Sequence, residues 1–364
     1  MKHFKLIPKI KPLRRQGGFT LVELLVAMGL GLLVVAIAGG ALLLGRQGFD
    51  AVDNGTQLRD KQRLAVDLLT RTIVQAGFED YAVGAAFRAD YKGDTTSLEP
   101  DIFGWNNAIY AAPGIDISAT TAITNGNRPG KCGGVTDTSC LNGSDILVVR
   151  YQGVTSPTNS AKSDNSMINC GGQGGRGLIT NDLNERGASL FHVATVNGEP
   201  SLYCSYYSHE AAVPGWVNQP LIEGVESFQV LYGTDRVTPG LAPPSTVNIP
   251  VDEDPLLDSI AERWLRADQL TVAGNLKATR DNFRRVRAVR IGLVLRGPVG
   301  SAQQSVAATL TPLGVAYTDS ANDAKSALGV AADRRLRIPN ASAQAGISLP
   351  SAFTVHVRND LTTR

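Results

Sequence analysis

Residues 14 to 23 read Arg14-Arg15-Gln16-Gly17-Gly18-Phe19-Thr20-Leu21-Val22-Glu23, and this stretch decides how the 364-residue chain begins its fold. Two arginines and two glycines stand directly before a long apolar run that carries one acid, Glu23, near its start. From Leu24 to Gly45 no residue is charged. A helix over that run would be about 33 Å long and could cross a bilayer core of about 30 Å. The sequence therefore predicts a membrane-spanning helix.

The basic segment before this helix sets its orientation. Residues 1–18 contain six Lys or Arg and no acid, so the positive-inside rule keeps this leader in the cytoplasm and places everything after Gly45 outside. A secretory signal peptide carries its small residues after the apolar region, whereas Gly17 and Gly18 precede it. The helix is therefore expected to stay in the mature protein. A carboxylate at mid-membrane costs about 2.5–3.5 kcal/mol, so Glu23 is expected to have a function.

The stretch Gly18-Phe19-Thr20-Leu21-Val22-Glu23 resembles the processing motif of type IV prepilins and pseudopilins. The resemblance implies that a prepilin peptidase cuts after Gly18 and methylates the new N-terminus at Phe19. Glu23 would then act in fibre assembly. We expect it to pair with the free amine of a neighbouring subunit's Phe19, which would offset the desolvation of both charges. The alternative is an ordinary membrane anchor with an incidental glutamate.

Composition is that of a globular protein once the anchor is set aside. The chain is 43% hydrophobic and 19% charged, and the remainder is long enough to bury a sizeable core. Net charge is +2 for the whole chain and +6 for the leader, which leaves −4 for the rest. No long basic cluster is interleaved with aromatic residues, so nucleic-acid binding is not indicated.

The cysteines all follow the anchor, at Cys132, Cys140, Cys170 and Cys204. An even number of cysteines in an exported region suggests two disulfides, and three pairings are possible. We favour Cys132 with Cys140 and Cys170 with Cys204. A zinc site is the alternative, but no Cys-x-x-Cys occurs and only His192 and His209 lie nearby.

Hydrophobic periodicity predicts one helix from Phe19 to Gly77, with a possible bend at Asn54-Gly55. Its first half is apolar all round, and its second half is amphipathic and should lay one face on a globular head. Short strands are predicted at residues 145–151, 190–195, 201–207, 221–232, 286–296 and 352–357, and a helix at 252–270. Polar loops are expected at 155–165, 171–177 and 239–250.

These patterns predict an α+β fold in which a long N-terminal helix packs on a mainly antiparallel β-sheet head with long loops. Four segments are expected along the chain: a cleaved basic leader (1–18), a transmembrane or fibre-core half-helix (19–45), an amphipathic half-helix (46–77) and a periplasmic or extracellular head (78–364).

Four strand blocks sharpen the resemblance. They are GSDILVVRY (143–151), LIEGVESFQVLYG (221–233), VRAVRIGLVLR (286–296) and FTVHVRN (353–359), and they resemble strand blocks of PilW minor pilins. Residues 318–350 depart from that pattern, which leaves the C-terminal topology open. The family implies a non-enzymatic subunit, without cofactor, that primes type IV pilus assembly and sits at or near the tip.

The same resemblance implies partners and location. The partners are the prepilin peptidase, other minor pilins, the major pilin, a PilY-type tip adhesin and, before assembly, inner-membrane lipid. The protein would cross the inner membrane once with its head in the periplasm, and would then enter an extracellular pilus that supports adhesion, twitching motility or DNA uptake.

Two other functions stay open at this point. A type II secretion minor pseudopilin, which caps a periplasmic pseudopilus, shares the processing motif and the helix-plus-sheet design. An anchored periplasmic enzyme is disfavoured because Gly-x-Ser-x-Gly, His-Glu-x-x-His and Walker motifs are missing from the sequence. Its possible bases would be His192, His209 and His356. Residues 252–254, Asp-Glu-Asp, could bind calcium or simply begin a helix.

Overall fold

The computed structural model describes residues 18–78, 100–106, 108, 110, 141–175, 186–196, 198–208, 215–243, 260–298, 301, 308–314, 336–338 and 346–359. The chain forms two compact units, Met1–Asp53 and Asn54–Arg364. Helix α1 (Leu21–Val74) contributes residues to both. Helical structure continues through Asn54 and Gly55, and the bend expected there stays a prediction.

The described part of the first unit is helix without a covered face. Its exposed large apolar side chains are Phe19, Leu21, Val22, Leu24, Leu25, Val26, Met28, Leu30, Leu32, Leu33, Val34, Val35, Ile37, Leu42, Leu43, Leu44, Phe49 and Val52. A helix that is hydrophobic all round is stable only when something apolar surrounds it, such as lipid or other helices.

In the second unit α1 is amphipathic, as the periodicity predicts. It buries Leu58, Ala65, Leu69, Thr72 and Ile73, which recur at helical spacing. The opposite side carries charged residues such as Asp67 and Arg71, whose exposed ion pair spans 2.9 Å. Because exposed pairs of this kind contribute only about 0.3–0.5 kcal/mol, the buried stripe is what fixes this part of the helix.

The head contains two antiparallel sheets. The strands are β1 (Ile102–Trp105), β2 (Ile146–Tyr151), β3 (Thr155–Ser156), β4 (Asn159–Ser163), β5 (Gly187–Val196), β6 (Glu199–Ser208), β7 (Gly215–Glu223), β8 (Val225–Thr234), β9 (Arg263–Leu265), β10 (Val286–Arg296), β11 (Ala308–Leu310), β12 (Leu336–Ile338) and β13 (Ser348–His356). The first sheet has the order β1-β2-β5-β6-β7 and the second the order β13-β10-β8-β9, with two small ribbons, β3-β4 and β11-β12. Two short helices, α2 (Ala267–Leu270) and α3 (Leu276–Arg284), precede β10.

The predicted α+β fold is confirmed, but several local predictions are wrong. Residues 221–232 do not form one strand, because Gly224 (φ +85°) turns the chain from β7 in the first sheet to β8 in the second. Residues 155–165, expected as a loop, contain the β3-β4 ribbon.

Of the predicted helix over 252–270, residues 252–259 lie outside the described part, and among the described residues only those of α2 are helical. Arg263–Leu265 is a strand that pairs with Tyr232 to Thr234 of β8. The helical spacing of apolar residues is overridden here because Gly233 leaves room for Trp264, whose ring lies about 3.0 Å from where a Cβ of Gly233 would be.

One core joins α1 to both sheets. Leu69 and Ile73 of α1 share a cluster with Phe191 of β5, Phe228 of β8 and Ile291 of β10. All five side chains are fully buried. The core therefore fixes the amphipathic part of α1 relative to the two sheets of the head.

Polar side chains before β2 bridge the sheets. Ser144 accepts a hydrogen bond from the amide of Phe228 (3.2 Å), and the Asp145 carboxylate accepts from the amide of Val230 (2.8 Å). The amide of Asp145 in turn donates to the carbonyl of Phe228 (2.8 Å). These bonds cover the edge of β8 that β9 leaves open, so that edge is not free to pair with another chain.

Candidate processing and assembly site

The N-terminal motif lies at the start of α1. Gly18, Phe19 and Thr20 are exposed and precede the first helical residue, Leu21. The peptide bond between Gly18 and Phe19 is therefore outside the helix, where its backbone can adopt the extended form that peptidases bind. The helix begins two residues later than the sequence predicts.

Thr20 is the residue that starts the helix. Its Oγ1 accepts a hydrogen bond from the amide of Glu23 (3.2 Å), and its carbonyl accepts from the amide of Leu24 (3.1 Å). A threonine at this position satisfies an amide that has no partner inside the helix. The Thr-x-x-Glu spacing is the sequence signature of a capping box and was the signal that could have identified Thr20.

Gly18 packs against no other residue of the part of the chain that the structure describes. A Cβ built on it would meet nothing within 4 Å. Any need for a small residue at this position must therefore come from another molecule, such as the active site of a peptidase.

Glu23 is exposed in the first turn of α1 and is the one acid of that turn. The partial positive charge at a helix N-terminus favours a carboxylate there. Helix α1 includes a window with a mean hydropathy of 2.6, and no side chain of that window is buried. Within the described residues, α1 is the one helix long and apolar enough to cross a membrane.

The disulfide Cys170–Cys204 holds a loop against the first sheet. Its Cα atoms are 5.9 Å apart, and the amide of Cys170 donates to Ser189 Oγ (3.0 Å). This bridge is one of the two that we favoured, while Cys132 and Cys140 lie outside the described residues, so their pairing stays a prediction.

The glycine-rich turn beside this disulfide is closed by Asn169. The Asn169 Oδ1 accepts hydrogen bonds from the amides of Gly171 (2.9 Å) and Gln173 (3.0 Å). A phosphate would need such amides free, so the turn does not resemble a phosphate-binding loop. A groove of about 350 Å³ separates the turn from α1, lined by Leu64, Asp67, Leu68, Arg71, Thr72, Gln75, Ile168, Asn169, Cys170 and Gly172.

His192 is a core residue. Its ring stacks between Tyr110 and Tyr203, with centroid distances of 4.2 and 5.5 Å, and its Nε2 lies 3.2 Å from Asn218 Oδ1. Burial lowers the pKa of His192 to about 4, against a smaller opposing effect of the Asn218 contact. With 2% of its surface exposed, it has no access to a substrate.

The other candidate chemistry is not brought together. His356 is exposed on β13. His209 and residues 252–254 lie outside the described part, so the calcium hypothesis stays untested. Within the residues that the structure describes, no three His, Cys, Asp or Glu are placed to hold a metal ion.

The chain combines an exposed Gly-Phe peptide, a long uncovered apolar helix and a head of antiparallel sheets. Two family models match the chain: the prokaryotic N-terminal methylation motif at residues 13–39, and type IV pilus-assembly protein W (PilW) at residues 190–350. The resemblance to PilW and to prepilins is thereby confirmed. The PilW match runs from β5 into β13 and includes the blocks at 221–233 and 286–296, whereas the blocks at 143–151 and 353–359 lie outside it.

Among solved structures, the chain is similar to a type IV-like pilin from Thermus thermophilus. Sequence identity is 11% and the TM-score is 0.34, over 85% of this chain and 100% of that one. No curated protein shows a significant sequence match to the chain.

Proposed function

We propose that this protein is a minor pilin, a non-enzymatic structural subunit that primes type IV pilus assembly and sits at or near the pilus tip. The observation that carries the proposal is the exposed Gly18-Phe19 peptide followed by an uncovered apolar helix with Glu23 in its first turn. An apolar surface of this size needs lipid or neighbouring helices around it. When such a subunit leaves the membrane and enters a fibre, neighbouring helices replace the lipid around its apolar helix.

The replacement of lipid by neighbouring helices implies a sequence of processing and assembly steps. The prepilin peptidase removes residues 1–18 and methylates Phe19, while the helix remains in the inner membrane with the head in the periplasm. On assembly, Glu23 pairs with the N-terminal amine of a neighbouring pilin. Other minor pilins, the major pilin and a PilY-type adhesin are the proposed partners of the assembled subunit.

The processing step is tested by mass spectrometry of the N-terminal peptide from the protein made in its own cell. We expect a peptide that begins at N-methylated Phe19. A peptide beginning at Met1 would show that the segment is a plain membrane anchor and would overturn the proposal.

The role of Glu23 is tested separately by Glu23→Ala. The variant should insert in the membrane and be processed, but should be lost from sheared fibres, because the buried N-terminal amine of its neighbour would have no partner. Asp50→Ala is the matched control, since it removes an exposed carboxylate from the same helix beyond the predicted span. Equal recovery of both variants in fibres would contradict the assigned role.

A deletion strain separates the pilus from the type II secretion fibre. Loss of surface pili with normal exoprotein secretion supports the minor pilin. Normal pili with failed secretion would instead identify a pseudopilin that caps a periplasmic pseudopilus.

A further inference from the structure

The C-terminal end of α1 is held from the side of the first sheet. The amide of Gly77 donates to the carbonyl of Arg150 (3.0 Å), and the amide of Gln152 donates to the carbonyl of Phe78 (2.8 Å). The chain that leaves the helix thus pairs with the chain at the end of β2. These bonds involve the first sheet alone.

Gln75, the residue that follows α1, makes a second contact on the same side. Gln75 Oε1 accepts from the amide of Ile168 (2.9 Å), while its Nε2 donates back to the carbonyl of Arg71 (3.0 Å). Ile168 belongs to the loop that the Cys170–Cys204 disulfide fastens to β6. The last turn of α1 therefore contacts an element that is itself covalently fixed.

The third tie comes from the opposite end of the sequence. Asn359 Nδ2 lies 3.0 Å from the carbonyl oxygen of Val74 and 3.3 Å from that of Ala76. Both neighbours are acceptors, so the amide nitrogen must be the atom that faces them. The last carbonyls of a helix have no hydrogen-bond donor within the helix. Asn359 supplies that donor, although it lies 283 residues after Ala76 in the sequence.

Asn359 is positioned by the second sheet. It follows β13, and the amide of Val357 donates to the carbonyl of Arg287 in β10 (2.9 Å). The Val357 side chain is 6% exposed, which fixes the tail just before Asn359. The tail can therefore reach α1 only after the last strand has paired.

We infer that Asn359 is a conformational latch that couples completion of the last strand to the end of α1. Without it, the final turn lacks a donor for two carbonyls and opens more often. If α1 is the part that enters a fibre, which rests on the proposed function, the latch makes the helix end depend on a fully folded head. The coupling itself does not depend on that function.

The latch is tested by hydrogen exchange on the full-length protein in detergent. Asn359→Asp keeps the shape of the side chain but removes the donor and places a carboxylate against two carbonyls. Amides of residues 75–78 should exchange about tenfold faster, as expected when hydrogen bonds at the end of the helix are lost. Protection in β10 should stay unchanged. Unchanged exchange at residues 75–78 would overturn the latch.

Two further variants separate coupling from general loss of stability. Asn275→Ala removes the N-cap of α3, where Asn275 Oδ1 accepts from the amide of Ala278 (3.0 Å), and it should not affect residues 75–78. Val357→Ala should speed exchange at residues 75–78 only while Asn359 is present. Equal acceleration by Asn275→Ala, or additive effects of the Val357 and Asn359 changes, would refute the coupling. Asn359→Ser serves if Asn359→Asp does not accumulate.

A cellular arm distinguishes this inference from the proposed function. Asn359→Asp should still yield N-methylated Phe19 but should enter fibres less than wild type. Wild-type protein that never enters fibres would overturn the proposed function and leave the exchange result standing. Normal fibre entry of the Asp variant would overturn the assembly role of the latch.

Discussion

Acid should destabilise the head through His192. Its ordinary pKa of 6.5 falls to about 4 because burial between Tyr110 and Tyr203 disfavours the charged ring. A depressed histidine pKa means that the unfolded chain binds the proton more tightly. The stabilisation is therefore complete above pH 6.5 and is lost as the pH falls toward 4.

The magnitude follows from that shift. The full difference corresponds to about 3 kcal/mol, and lowering the pH from 7 to 5 removes about 2 kcal/mol of it. Urea unfolding of the detergent-solubilised protein at both pH values measures the loss. Tryptophan fluorescence is a suitable probe, since all three tryptophans, Trp105, Trp216 and Trp264, lie in the head.

His192→Phe isolates the effect. Phenylalanine keeps a ring between the two tyrosines but cannot titrate, and Asn218 Oδ1 still accepts from Ser205 Oγ (2.8 Å). Between pH 7 and 5, the free energy of unfolding of this variant should fall by about 2 kcal/mol less than that of wild type. His356→Phe, at an exposed position, should behave like wild type. Equal acid sensitivity of wild type and His192→Phe would refute the reasoning.

Three further predictions concern processing and stability. Gly18→Trp should block removal of the leader without changing the urea midpoint of the head, since its Cβ has open space; processed protein on an immunoblot would contradict this. Cys170→Ser with Cys204→Ser should lower the free energy of unfolding by about 4 kcal/mol for a loop with a sequence separation of 34, whereas a loss under about 1 kcal/mol would argue against the bridge. Gly224→Ala should lower the free energy of unfolding, measured by calorimetry, more than Gly198→Ala does. Both glycines have φ above +80°, but only a Cβ at Gly224 would lie near the Arg296 carbonyl oxygen (2.5 Å). Equal losses of stability would exclude that contact.

The strands best predicted from the sequence are those whose pattern and environment agree. Val286–Arg296 carries apolar residues at every second position from Val289 to Leu295 and forms β10 with the predicted bounds. Residues 221–232 were misread because the pattern continues across Gly224, and only the positive φ separates the two strands. The apolar residues around 263–265 have helical spacing, yet residues 263–265 pair with the edge of β8 and form a strand.

The residues of the candidate site also differ in whether the sequence alone points to them. Glu23 and the Gly18-Phe19 pair are visible in the sequence because a charge and two glycines interrupt an otherwise expected pattern. Thr20 was visible but missed, since its capping role depends on where the helix begins. Asn359 gave no signal at all, because a single asparagine near the end of the chain has no pattern that points to Val74.

From local composition and the thickness of a membrane, the sequence alone predicts the anchor and its orientation, and it shows the processing motif. It also determined that the second half of α1 is amphipathic and that the head is rich in strands. Only the tertiary structure decided which sheet each strand joins, that His192 is a packed core residue, and that the end of α1 is held by residues about 75 and 285 positions away. Those facts depend on contacts between distant segments, and local spacing carries no information about them.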